Sequence, residues 1–138
     1  MGAMMTFYEV IMFKSPVLIA SILSYALMLV AYRFHRPRIW HVIAMSLCIV
    51  YGIGVPFYLF SARNWPHRLI DQGGIFNYLI WMHVGLDILL FTMFFLQITQ
   101  GLKLWRGVEE AREIHAQQAK VILGVMLLVI LTGGPLAP

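Results

Sequence analysis

Charge is scarce in this sequence. Asp, Glu, Lys and Arg make up 12% of its 138 residues, and only six residues are acidic. Soluble domains carry roughly 25%. With 61% hydrophobic residues and a mean hydropathy of +0.81, the composition excludes an ordinary soluble domain and indicates an integral membrane protein. Its length allows one compact domain. Cysteine is scarce too: Cys48 stands alone in an apolar run, so no internal disulfide can form. There is no Cys-x-x-Cys-His, which excludes covalent c-type haem. Neither a His-Glu-x-x-His zinc helix nor a glycine-rich phosphate loop is present. Low-complexity tracts are also missing. The net charge of +4 would suggest nucleic acid in a soluble protein. Here the cations lie between apolar runs, so they report orientation and no nucleic-acid partner is expected.

A transmembrane helix needs about 20 mostly apolar residues. Four such runs can be read, at about 15–32, 39–60, 75–102 and 118–137. Lipid demands internally satisfied backbones, so helices are the expected element. The first run is long enough to span and carries no cleavage-site pattern, which reads as a helix rather than a signal peptide. The first connection, "RFHRPR", is short and holds Pro37, so the first two helices form a tight antiparallel hairpin. The second, "SARNWPHRLIDQGG", is punctuated by Pro and Gly. The third, "KLWRGVEEAREIHAQ", is charged and continues its flanking helices beyond the lipid. The expected fold is all-α: a four-helix transmembrane bundle of up-down hairpins.

Lys and Arg set the orientation. Arg33, Arg36, Arg38, Lys103, Arg106, Arg112 and Lys120 flank the first and third connections, against Lys14, Arg63 and Arg68 on the other side. The first and third connections are therefore expected to be cytoplasmic, with both termini outside.

The exceptions to the apolar pattern then stand out. "YLIWMHVGLDILLFTMFFL" (78–96) holds His83 and Asp87 in an otherwise apolar run. An Asp at a helix centre costs about 2.5–3.5 kcal/mol on translocon scales. An ionisable pair one turn apart inside a span reads as functional, though the two can also satisfy each other. At about 100° per residue, His83, Asp87, Phe94, Gln97 and Gly101 form one stripe facing the bundle interior. His41, Met45, Cys48, Gly52 and Leu59 share a face of the second helix. His115, Ala119, Ile122, Met126 and Gly133 share one of the fourth, and Ser21, Ser24, Tyr25 and Met28 share a side of the first.

Two histidine-led faces backed by small or soft residues suit a flat cofactor between helices, and neutral imidazole is a haem-iron ligand. The second and fourth helices start from the same side, so His41 and His115 lie at similar depth. His83 lies roughly 30 Å along its helix from that end at about 1.5 Å per residue, and cannot share their metal. Its natural partner is His67 in the second connection, or no protein ligand at all. The nine Met residues read as packing. His35, in the Arg-rich turn, reads as a loop residue.

The stretch "PVLIASILSYALMLVAYRFHRPRIWHVIAM" resembles the opening hairpin of a family of small four-helix bacterial membrane proteins, known as domain of unknown function 420. Some members act in the maturation of haem–copper oxidases. The resemblance covers most of the chain. It includes His41 with Met45, Tyr78 with His83, and His115 followed by Thr132-Gly133. Val42 and Ala116 stand where that family usually has arginine, and Asp87 has no counterpart in the pattern. The resemblance implies a bacterial cytoplasmic membrane, a larger respiratory complex as partner, and an assembly or electron-transfer role.

Three functions follow as expectations. In the first, His41 and His115 ligate a b-type haem near the cytoplasmic face, while His83 with Asp87 holds a second haem or a metal, or contacts a quinone. Copper is the other candidate metal. The second is a cofactor-free accessory subunit of a respiratory or photosynthetic complex. The third is a small proton- or solute-conducting protein with His83 and Asp87 as relay. A stand-alone catalyst is not the expected reading.

Overall fold

The computed structural model describes residues 16–62 and 75–134. These form four helices: α1 (Pro16–Arg33), α2 (Arg38–Ala62), α3 (Ile75–Trp105) and α4 (Ala111–Gly133). Among the described residues there is no strand. The protein is an all-α four-helix bundle. All four helices are long and apolar enough to cross a membrane, and the chain is a multi-pass membrane protein on that ground.

Helices extend furthest past the apolar runs at the third connection, in the sense expected of its charged sequence. α4 starts at Ala111 rather than near residue 118, and α3 runs on to Trp105. The charged residues here are good helix formers. They carry the helices past the apolar limit and leave only 106–110 as a turn, where Gly107 takes a positive φ of 88°. At the far end α4 stops at Gly133. The expected continuation to 137 lies outside the described residues.

α3 packs most extensively on α4, and α1 on α2; α1 also lies against α4, and α2 touches α3 more lightly. The two hairpins therefore pack side by side, with α2 diagonally opposite α4. Met28, Cys48, Leu90, Phe94, Ile122, Val125 and Met126 form the core, with contributions from every helix. Met28 and Phe94 are each 1% exposed. Gly52 makes room for Phe94: a Cβ there would lie 2.9 Å from the ring. Farther along the same seam Phe57 stacks on Phe91 with ring centres 6.3 Å apart. Large apolar side chains such as Leu23, Val50, Phe95 and Leu131 face outward, as lipid-facing helices require.

Polar side chains stitch the hairpins. The Cys48 thiol donates to the Ser24 carbonyl at 3.4 Å, and Tyr51 bonds to the Val17 carbonyl and to Ser21 Oγ. Arg38 donates to the Leu104 carbonyl and lies over the Trp105 ring, 5.0 Å from its centre. It thereby adds a second donor to a carbonyl near the end of α3 that also accepts from Gly107 N–H at 3.0 Å. The same contact places the first and third connections at one end of the bundle, here called the arginine end.

Candidate functional site at the arginine end

α2 and α4 both begin at the arginine end, and each carries a histidine in its first turns. The structure brings these two together. The His41 and His115 ring centres are 6.5 Å apart with the planes at 67°. Imidazole nitrogens bind metals at about 2.0–2.1 Å, which puts two rings sharing one ion from opposite sides roughly 6 Å apart, centre to centre. The observed separation matches.

Each ring is also oriented from behind. His41 Nδ1 lies 2.8 Å from the Ala31 carbonyl oxygen. A carbonyl can only accept, so Nδ1 carries the proton and Nε2 is left with the lone pair. This is the support usual for metal-bound histidines. His115 Nε2 lies 3.3 Å from the side-chain amide of Gln97. With the NH2 group facing it, His115 carries its proton on Nδ1. With the amide turned by half a rotation, the carbonyl accepts from Nε2–H and Nδ1 carries the lone pair. Only the second arrangement lets His115 ligate through Nδ1.

His115 Nδ1 and Gln97 Oε1 are both buried without a hydrogen-bond partner among the described residues. Gln97 is only 4% exposed. An unpaired buried polar atom commonly costs about 1–3 kcal/mol; turning the amide pairs Gln97 Oε1 with Nε2–H and leaves His115 Nδ1 unpaired. Both residues line a cavity of about 620 Å³ that also takes in His41, Met28, Met45 and Ile122. That is within the range of small-molecule and cofactor sites, about 300–1,000 Å³. The floor is apolar. At the mouth stand Arg33, His35, Arg36, Arg38 and Arg112, with Glu109 the one acidic lining residue. Gln97 lies on the stripe expected of α3, but its role behind His115 emerges only from the packing.

His83 and Asp87 lie toward the opposite end. His83 Nδ1 is 2.8 Å from Thr132 Oγ1, and Nε2 is 3.5 Å from an Asp87 carboxylate oxygen. Gly133 lets α4 approach this ring: a Cβ there would lie 3.0 Å from His83 Cε1. Both ring nitrogens thus face partners inside the bundle. His67, the other expected member of this pair, lies outside the described residues. Among the described residues no three His, Cys, Asp or Glu side chains cluster closely enough to hold a metal ion. Any metal at the arginine end would rest on two imidazoles and on ligands of another kind.

No protein family model, curated protein or solved structure matches the chain.

Proposed function

We propose that the protein is a haem-binding protein of a bacterial cytoplasmic membrane, with His41 and His115 as the residues that would hold a b-type haem at the cytoplasmic end. One observation carries this reading. Two imidazoles from diagonally opposed helices meet 6.5 Å apart on the wall of a cavity of about 620 Å³, one with its nitrogen freed by a backbone carbonyl and the other with a buried unpartnered nitrogen. The donor set fits the group. Neutral imidazoles suit haem iron, and the apolar floor suits the macrocycle. Bound haem would supply one-electron chemistry. The chain's own residues would set its potential through the His41 and His115 imidazoles, their hydrogen bonds to Ala31 and Gln97, and the apolar floor.

The resemblance to domain of unknown function 420, some of whose members act in oxidase maturation, supports a role in passing electrons, or in handing haem to a larger respiratory complex. Copper is the second reading. It is favoured by Met28 and Met45, soft thioethers on the same cavity wall as both histidines.

A reduced-minus-oxidised spectrum of the detergent-purified protein, with metal analysis on the same sample, separates these readings. A b-type α-band that disappears in both His41→Ala and His115→Ala is expected. Copper at stoichiometric level without that band would transfer the site to the second reading. A flat spectrum from folded, metal-free protein would remove both.

A further inference from the structure

The mouth of the cavity is more cationic than its own contacts require. Arg38 is held by the Leu104 carbonyl and Trp105. Arg112 is paired with Glu109 at 2.6 Å. That leaves Arg33 and Arg36, whose guanidinium groups have neither an ion pair nor a hydrogen bond among the described residues. Both line the cavity that holds His41 and His115, as do His35 and Tyr32. Glu109, the one carboxylate on the wall, is already occupied by Arg112. An apolar floor beneath two unspent guanidiniums fits an amphiphile with a flat apolar body and acidic groups at one edge. Arg recognises carboxylates through paired N–H donors, and such charge-assisted bonds are about twice as strong as neutral ones.

We propose that Arg33 and Arg36 receive the carboxylates of the bound macrocycle, so that the cavity selects a dicarboxylated iron porphyrin over its neutral ester. This rests on the haem reading above and adds what decides ligand choice and direction of entry: the acidic edge stays at the arginine end while the ring lies deeper, beside the histidines. Arginines at this end would also meet anionic lipid headgroups. The ligand role is preferred because Arg33 and Arg36 form the wall of the same cavity as the two histidines.

The test uses the full chain in a neutral detergent, titrated with iron protoporphyrin IX and with its dimethyl ester. Histidine ligation is read from the Soret band. The diacid is expected to bind about tenfold more tightly than the ester. In Arg33→Gln/Arg36→Gln that preference should vanish through weaker diacid binding, with ester affinity unchanged, which also shows that the variant folds. Arg33→Lys/Arg36→Lys keeps the charge and should restore part of the preference. Equal binding of the two porphyrins by the unmodified protein, or a preference that survives the double Gln variant, overturns the arginine assignment alone. Loss of the preference when phosphatidylglycerol is added would give these arginines to headgroups and overturn it as well. If neither porphyrin shows histidine ligation, the haem reading and this inference fall together.

Discussion

His115 and His83 occupy matching positions at opposite ends of the α3–α4 pair. Each reaches from one helix to a glycine on the other: His115 to Gly101, and His83 to Gly133. Each also meets a polar side chain on the neighbouring helix, Gln97 for the first and Thr132 for the second. The difference is in what remains. His83 has Asp87 for its second nitrogen, and its glycine contact is tight. His115 has no partner for its second nitrogen, a looser glycine contact, and a cavity beside it. Two half-buried histidines of similar setting thus divide into one whose ring nitrogens both face polar side chains inside the bundle and one whose second nitrogen has no hydrogen-bond partner among the described residues.

Gln97→Leu should give the largest break in this comparison. It removes the group that fixes the His115 ring and tautomer, and leaves His115 itself in place. Loss of such an outer-shell partner commonly lowers metal affinity by about 10- to 100-fold. A comparable drop in haem affinity is expected, with a shifted reduction potential and little change in thermal unfolding. A titration indistinguishable from the unmodified protein would mean that Gln97 plays no part in ligation.

Gly133→Ala sharpens the comparison from the other end. Its new Cβ would sit 3.0 Å from the His83 ring, and that ring is held by Thr132 and Asp87 on two sides. The ring cannot yield without losing a hydrogen bond, so a loss of about 1–3 kcal/mol is expected, as for other overpacked positions. Gly101→Ala meets the His115 ring at 3.4 Å, an ordinary contact beside open space. It should be neutral, or stabilising by up to about 1 kcal/mol from helix propensity. Chemical unfolding in mixed micelles measures both. Equal destabilisation of the two would show that the ends are packed alike.

The apolar runs made the four helices legible, because their length and composition leave lipid as the only consistent solvent. The helical repeat placed Phe94 and Gln97 on the interior stripe of α3, and both are buried. Matched depth of His41 and His115 followed from chain direction alone, and the rings do meet. The charged third connection was read as extending its flanking helices, but the apolar signal starts near residue 118 and gives no exact start for a helix that begins at Ala111. The partners of the histidines were not legible at all. Nothing in residue spacing along α3 or α4 says that Gln97 stands behind His115, or that Thr132 meets His83. Those contacts depend on the register between two helices, which is decided by packing around Phe94, Ile122 and Met126.

The smallest effect is expected from Asp87→Asn, and hydrogen-bond accounting gives the reason. Thr132 Oγ lies 2.8 Å from its own-helix carbonyl at Leu128, to which its one hydroxyl proton is donated. His83 Nδ1–H then donates to Thr132 Oγ, which turns the lone pair of a neutral His83 Nε2 toward Asp87. A bond there needs one proton shared between the ring and the carboxyl group, and an Asn side chain supplies it through its NH2. Asp87→Asn should therefore unfold within about 0.5 kcal/mol of the unmodified protein, and the haem spectrum should not change. Asp87→Leu, which offers Nε2 nothing, should cost about 1–3 kcal/mol. Proteoliposome proton uptake separates structure from transport in the same pair. If Asp87→Asn folds normally but abolishes an uptake seen in the unmodified protein, the opposite end carries protons. It would then be a second working site rather than a closed joint between α3 and α4.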